Sequence, residues 1–177
     1  GLKTLFGSEP AGYFIPYRYA AETQKAVGRP TYPAIEAMME QAAPTMKAWL
    51  TKAALPLMPP GAAIINVTSN QGFSPAPYLL DYATSKFAIR GFTEAIAQGA
   101  IERGVRVNGV APGPFWTPLQ PSGGQTQEKV QEFGKGTPMG RPGQPAELAP
   151  TFVFLASQES SYISGEIIGV TGGKPIS

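Results

Sequence analysis

Two spacings of apolar residues alternate along the first part of this chain. Between residues 34 and 58 apolar side chains recur every three or four positions, which predicts one or two helices that stop at the Pro-Pro-Gly of 59–61. Residues 62–69 then form a β-branched run without strict polar alternation, as is typical of a strand buried on both faces. The helical spacing returns over 81–103, and Gly104 follows as a stop signal.

The second part of the chain continues the alternation. Residues 106–111 predict a second strand, 145–157 a helix and 165–171 a third strand. Between them lies a stretch rich in Gly, Pro, Gln and Thr, 115–143, which is long enough to expect a mobile lid. Helices that alternate with buried strands predict an α/β fold with a parallel sheet.

Composition indicates one globular domain. The chain has 177 residues, of which 42% are apolar and 15% charged, so we expect a single domain over 1–177, with a divergent N-terminal arm and helices over 1–50 and a core over 51–177. The net charge is only +2 and the 14 basic residues are scattered, which argues against a nucleic-acid partner. No apolar run approaches the roughly 20 residues of a membrane span and no leader pattern begins the sequence, so we expect no membrane association and a cytoplasmic location.

The absence of His and Cys restricts the available chemistry. It excludes Ser-His-Asp triads, Cys nucleophiles and the usual zinc ligand sets, so we expect no metal. Acid-base chemistry must then use Lys, Tyr or carboxylates. Tyr82 and Lys86 are four residues apart and share one face of the predicted helix, while Ser69 ends the preceding strand. An ammonium beside a phenol favours the tyrosinate form, which makes the pair a candidate acid and base.

Such a pair is common by chance, but four motifs surround it in order along the chain. They are 64–69 (IINVTS), 81–86 (DYATSK), 106–114 (RVNGVAPGP) and 165–173 (GEIIGVTGG). Through these motifs the chain resembles, from about residue 51 onward, the short-chain dehydrogenase/reductase family. The resemblance implies a truncated Rossmann-like three-layer α/β fold with a small parallel sheet.

The resemblance also implies roles for individual residues. Ser69 would orient the substrate, Tyr82 would be the acid and base, and Lys86 would lower the pKa of the Tyr82 phenol and hold a nicotinamide ribose. Pro112, Gly113 and Thr117 match the loop that lies against the nicotinamide and pyrophosphate in the family. These last three would bind cofactor only if a dinucleotide binds at all.

One departure from the family pattern decides our expectation for function. The glycines before residue 61 do not form the Gly-x-x-x-Gly-x-Gly turn that receives a dinucleotide pyrophosphate, so we expect no cofactor. Losing the first strands of the fold would also leave the 62–69 strand with an unpaired edge, from which we expect a homo-oligomer.

The expected function is therefore a carboxylester hydrolase that acts on short acyl esters. Ser69 would attack the ester while Tyr82, assisted by Lys86, takes its proton. The alternative is an NAD- or NADP-dependent oxidoreductase acting on an alcohol or ketone, and a third possibility is an inactive fragment that serves as an oligomerisation module. Apolar side chains of the long loop would line an acyl pocket or pack against another subunit; they are Phe115, Trp116, Leu119, Phe133 and Met139.

Overall fold

A computed structural model describes residues 47–123 and 126–176. Most of the expected N-terminal arm, 1–46, lies outside the described residues. The described chain starts with helical residues 47–54, which pass into a 3₁₀ turn, Leu55–Leu57. The end of this segment agrees with the stop that the Pro-Pro-Gly at 59–61 predicts.

Three parallel strands form the sheet of the described chain, in the order β1-β2-β3. They are β1 (Ala63–Val67), β2 (Arg106–Pro112) and β3 (Ile167–Val170). In register, Ala63 of β1 pairs with Arg106 of β2, and Gly109 of β2 pairs with Ile167 of β3. The small parallel sheet expected from the sequence is confirmed, with strand ends that lie within two residues of the predicted bounds.

Four helices accompany the strands within the described residues from Ala63 onward. They are α1 (Leu80–Ala100), α2 (Leu119–Ser122), α3 (Gln127–Glu132) and α4 (Pro145–Ala156). α1 tightens into a 3₁₀ turn and ends at Gly104, whose φ of 73° is a left-handed conformation that favours glycine. The long loop predicted over 115–143 therefore contains two short helices, and its mobility stays a prediction.

Helices cover both faces of the sheet. Val107 of β2 packs against Ala97 and Ala100 of α1, in the buried apolar cluster of the protein. The neighbouring Arg106 points the other way and donates a hydrogen bond to the main-chain oxygen of Leu155 in α4, at 2.9 Å. Because successive residues of a strand face opposite sides, α1 and α4 lie on opposite faces. The expected three-layer α/β arrangement is confirmed.

Arg106 holds the end of α4 against the sheet. It is 4% exposed, and its guanidinium also donates to the main-chain oxygen of Ser157, at 3.0 Å, and to the Ser160 hydroxyl, at 2.8 Å. These acceptors lie at and just beyond the carboxyl end of α4, where a positive charge is favourable. The buried cation is thus satisfied by carbonyl and hydroxyl oxygens.

Asn108 connects β2 to the segment that leads into β3. Its amide nitrogen donates to the main-chain oxygen of Ile163 at 2.8 Å, and its amide oxygen accepts from the backbone N–H of Glu166 at 3.1 Å. The side chain is 1% exposed and both halves of its amide are used. This pairing fixes the start of β3 beside β2, so the carboxyl ends of both strands reach the same edge of the sheet. No helix in the described part of the chain is long and apolar enough to cross a bilayer.

Candidate active site

Ser69 lies two residues beyond the carboxyl end of β1. The backbone N–H of Thr68 still bonds to the main-chain oxygen of Val110, at 2.9 Å, so the chain leaves the sheet at Ser69 itself. Ser69 then caps a 3₁₀ turn, with its Oγ accepting from the backbone N–H of Gln71 at 3.2 Å and donating to Asn70 Oδ1 at 3.2 Å. The hydroxyl is therefore fixed by local contacts at the strand end, as the sequence predicts.

Tyr82 and Lys86 lie on the first two turns of α1 and contact each other. Lys86 Nζ is 5.3 Å from the centre of the Tyr82 ring, within the range of a cation–π interaction. The pairing that the i,i+4 spacing predicts is thus present. It places an ammonium beside the phenol, where a positive charge stabilises the ionised ring.

A hydrogen bond from Thr68, the residue after β1, to α1 sets the position of this pair relative to Ser69. Thr68 Oγ1 donates to the main-chain oxygen of Lys86 at 2.7 Å. Gly72 packs directly against this contact, since a Cβ at that position would lie 2.9 Å from Thr68 Oγ1 and 3.1 Å from the Lys86 carbonyl. Thr68 and Gly72 are supporting residues that the sequence analysis missed, because only the fold brings them to α1.

Ser69 and Tyr82 open into one cavity of about 900 Å³ at the carboxyl end of the sheet. Among the five apolar residues expected to line a pocket, Phe115, Leu119 and Phe133 do line it. Trp116 instead lies against Phe133, with ring centres 6.4 Å apart, and Met139 lines a smaller neighbouring cavity of about 380 Å³. The cavity is in the size range of small-molecule sites.

Of the three residues matched to the cofactor loop, one lines the cavity and two do not. Gly113 lines the cavity, and its backbone N–H donates to the main-chain oxygen of Val170 at 2.8 Å. Pro112 ends β2 and Thr117 accepts from the backbone N–H of Gln120 at the start of α2, and neither is among the described lining residues. Only Gly113 of these three therefore lies at the cavity wall beside Ser69 and Tyr82.

A second lysine, which the sequence analysis missed, lies near Lys86. Lys47 Nζ donates to the main-chain oxygen of Val67, at 3.0 Å, at the end of β1. Burial first, and the charge of Lys86 second, lower the pKa of Lys47 to about 8. In the sequence Lys47 belongs to an amphipathic helix, where a lysine is usually a solvated surface residue, so no signal pointed to this contact.

The chain covers less than half of the length of the curated relatives it matches. A sequence profile for the family described as enoyl-(acyl carrier protein) reductase matches residues 22–174. An uncharacterized oxidoreductase of Escherichia coli strain K12, YghA, is 58% identical over 126 residues, which are 71% of this chain and 43% of that protein. The chloroplastic NADPH-dependent aldehyde reductase 1 of Arabidopsis thaliana is 48% identical over 126 residues, again 71% of this chain and 43% of the relative.

Solved structures of oxidoreductases and reductases also resemble part of this chain. A 3-oxoacyl-[acyl-carrier protein] reductase from Brucella melitensis with bound NAD has a TM-score of 0.54 and 38% identity, over 63% of this chain and 40% of its own. An NADPH-bound short chain oxidoreductase from Pseudomonas aeruginosa has a TM-score of 0.63 and 30% identity, over 71% of this chain and 51% of its own. Both proteins bind a nicotinamide dinucleotide.

Two expectations from the sequence are wrong in the light of these relatives. The expected carboxylester hydrolase, with Ser69 as nucleophile, is contradicted because the relatives are named oxidoreductases and reductases. The expectation of no cofactor is contradicted by the NAD- and NADPH-bound structures.

Proposed function

The chain belongs to the short-chain dehydrogenase/reductase family, and on that basis we propose that it takes part in an NAD- or NADP-dependent interconversion of an alcohol and a carbonyl compound. The observation that supports this most directly is the grouping of Ser69 and Tyr82 on one cavity, with the Lys86 ammonium 5.3 Å from the Tyr82 ring. A hydroxyl donor and an acid-base phenol are what a carbonyl oxygen needs when it becomes a hydroxyl.

The chemistry of the site follows from these side chains. When bound, the nicotinamide supplies a hydride to the carbonyl carbon or accepts one from the alcohol carbon. Tyr82 donates its phenolic proton to the substrate oxygen in the reduction and takes the proton back in the oxidation. Lys86 stabilises the phenolate that the reduction leaves on Tyr82, because its positive charge lies beside the ring.

Ser69 holds the substrate oxygen in place. Its Oγ–H points to Asn70 Oδ1 at 3.2 Å, which is a long bond for a hydroxyl donor and is readily exchanged for a substrate oxygen. Its other contact, from the Gln71 backbone N–H, keeps the hydroxyl in position during that exchange. Ser69 thus acts as a hydrogen-bond donor rather than as a nucleophile.

The described residues fit the nicotinamide end of a dinucleotide. Gly113 gives the cavity a wall without a side chain, where strand β2 ends against Thr171, and both residues line the cavity. Ligands of open parallel sheets bind at this carboxyl edge. In the described part of the chain no glycine-rich turn precedes β1, so these residues offer contacts to the nicotinamide end and none to the adenosine end.

Turnover with matched variants tests the proposal. The full chain is assayed at 340 nm with NADH and NADPH against a set of aldehydes and ketones, as wild type, Tyr82→Phe and Ser69→Ala. Tyr82→Phe should lower kcat by a factor of about 10² to 10⁴, because a positioned acid-base group contributes that much. Tyr162→Phe removes a phenol that is fully exposed and outside the cavity lining, so it should leave kcat unchanged.

The proposal fails if Tyr82→Phe and Tyr162→Phe turn over substrate equally fast. It fails also if the chain binds NADH, as measured by fluorescence, and yet reduces no carbonyl compound.

We also propose that the chain forms a homo-oligomer. Within the described residues β1 pairs on one side only, with β2, and α1 exposes 71% of Leu80 and 61% of Phe87. An edge strand and large exposed apolar side chains favour association. Light scattering on the purified chain should give two or more times 18.7 kDa, and a monomer at micromolar concentration would contradict the proposal. The cytoplasmic location stays a prediction.

A further inference from the structure

The charged side chains that line the 900 Å³ cavity have one sign. Lys129 of α3 and Lys174, just beyond β3, are among its lining residues, and no Asp or Glu is among the described lining residues. The other polar groups of the wall are neutral amides and hydroxyls, including those of Asn70 and Gln71. A cavity with charges of one sign on a low-dielectric wall attracts ligands of the opposite charge.

Both ammonium groups are available to a ligand. Within the described residues neither Lys129 nor Lys174 makes a side-chain hydrogen bond or an ion pair. Glu132, three residues after Lys129, is bound to Lys135 at 2.8 Å. Glu128 accepts hydrogen bonds from its own backbone and from Thr126, which lower the pKa of its carboxyl group, and it does not line the cavity.

The two lysines come from different segments of the chain. Lys174 follows β3, beside the Gly113 and Thr171 wall that fits a nicotinamide. Lys129 lies on α3, in the loop that also contributes Leu119 and Phe133 to the cavity. Lys129 thus belongs to the segment that supplies apolar side chains of the cavity, and not to the strand ends that supply the Gly113 and Thr171 wall.

We propose that the cavity takes a carbonyl or alcohol substrate that carries a second, anionic group, a carboxylate or phosphate, and that Lys129 binds this group while Ser69 and Tyr82 hold the reacting oxygen. The proposal rests on the proposed function of the site and names its substrate class. The same anion chemistry exists in the phosphates of the dinucleotide, so the experiment has to separate a substrate anion from a cofactor phosphate.

A pair of substrates that differ by one charge gives the first arm. Succinate semialdehyde and butanal have the same four-carbon chain and aldehyde, with and without a carboxylate. The full chain should show a kcat/KM about two- to fivefold higher for the charged aldehyde, as one solvent-accessible ion pair allows. Lys129→Gln should abolish the difference by raising KM for succinate semialdehyde alone, and Lys129→Glu should reverse it.

Lys135→Gln is the matched control for the first arm. It removes one positive charge three residues after α3, but Lys135 is bound to Glu132 and does not line the cavity. It should leave the preference for the charged aldehyde unchanged. An equal loss of preference in Lys129→Gln and Lys135→Gln would reduce the effect to net charge and overturn the proposal.

Binding gives the second arm and needs no turnover. Butyrate and its neutral isostere butyramide are titrated into the full chain by NMR, with wild type and Lys129→Gln. Tighter binding of butyrate that is lost in Lys129→Gln supports the anion site even if no carbonyl compound is reduced, so failure of the proposed function is distinguishable. Equal binding of the two ligands to the wild type would overturn the proposal.

The third arm addresses the cofactor. NADH is titrated by fluorescence with wild type, Lys129→Gln and Lys174→Gln. An unchanged Kd in Lys129→Gln supports a substrate site at Lys129, whereas a weaker Kd for NADH with no change in aldehyde preference would assign Lys129 to the cofactor phosphates and overturn the proposal.

Discussion

Replacing Arg106 with methionine should lower the free energy of unfolding by about 3 kcal/mol, because it removes the donor that three oxygens share. Those acceptors are the main-chain oxygens of Leu155 and Ser157 and the hydroxyl of Ser160, at 2.9, 3.0 and 2.8 Å. Methionine keeps most of the aliphatic volume, so the packing of β2 against α4 is retained and the loss is mainly polar.

The magnitude follows from which oxygens can find another donor. Ser160 has one hydroxyl hydrogen, whose shortest acceptor is the Phe154 main-chain oxygen at 2.8 Å, with those of Leu155 and Ser157 at 3.1 Å. The Ser157 oxygen keeps a weak bond from the Ser160 backbone N–H at 3.4 Å, whereas the buried Leu155 oxygen loses its charged donor, which costs about 1 to 3 kcal/mol. Each lost bond to a charged donor adds roughly 1.5 kcal/mol. Relief of the guanidinium's own desolvation offsets part of this sum.

Urea unfolding followed by circular dichroism at 222 nm measures the effect. Arg103→Met is the matched control, since Arg103 is exposed at the end of the turn after α1. Arg106→Lys replaces the guanidinium with one ammonium, so its loss in the free energy of unfolding should lie between those of Arg103→Met and Arg106→Met. It also provides a measurement if Arg106→Met does not fold. In a double-mutant cycle with Ser160→Ala the coupling should be about 1 kcal/mol, as expected for residues in one hydrogen-bond network. A loss below about 1 kcal/mol in Arg106→Met, with no coupling, would refute the reasoning.

Two further perturbations test the site itself. Gly113→Ala places a Cβ 2.9 Å from the Thr171 main chain, so it should lower the free energy of unfolding by about 1 to 3 kcal/mol and weaken NADH binding. The control Gly91→Ala has nothing within 4 Å of the added Cβ and should have neither effect. Thermal unfolding measures the first effect and fluorescence titration the second. Burial and Lys86 lower the pKa of Lys47 from 10.5 to about 8, so the folded protein binds this proton less tightly than the unfolded chain and stability falls as the pH drops from about 10.5 to about 8. Lys47→Met should therefore raise stability at pH 7 and lose this advantage above pH 10.5, and an NMR titration of ¹³C-methylated Lys47 with a midpoint above 10 would contradict the sign.

The elements with long, regular patterns were predictable from the sequence. β1 was expected because β-branched residues recur over 62–69 without polar alternation, and α1 because its apolar spacing runs for about twenty residues before Gly104. α2 and α3 were missed within the 115–143 loop, since helices of four and six residues are too short for a period of 3.6 to show.

The candidate site was predictable only in part. Ser69, Tyr82 and Lys86 came from spacing and motif, and the structure groups the first two on one cavity. Lys47 and Lys129 approach the site through tertiary contacts between distant segments, which spacing along the chain does not encode. The esterase was expected because the sequence lacks a glycine-rich turn, and that expectation was wrong. This chain matches only 43% of the length of its relative, and a missing turn carries no information about the reactivity of Ser69.

Ser69, Gly113 and Thr171 each follow a different strand, and the three strands are far apart in sequence but adjacent in the parallel sheet. Contacts of this kind form late in folding, after long loops have closed. α1 can carry Tyr82 and Lys86 as soon as it is helical, yet it faces no cavity until all three strand ends have met. During refolding from urea, ligand binding should therefore recover only when the sheet is complete. Its recovery should be slower than the return of the helical circular-dichroism signal.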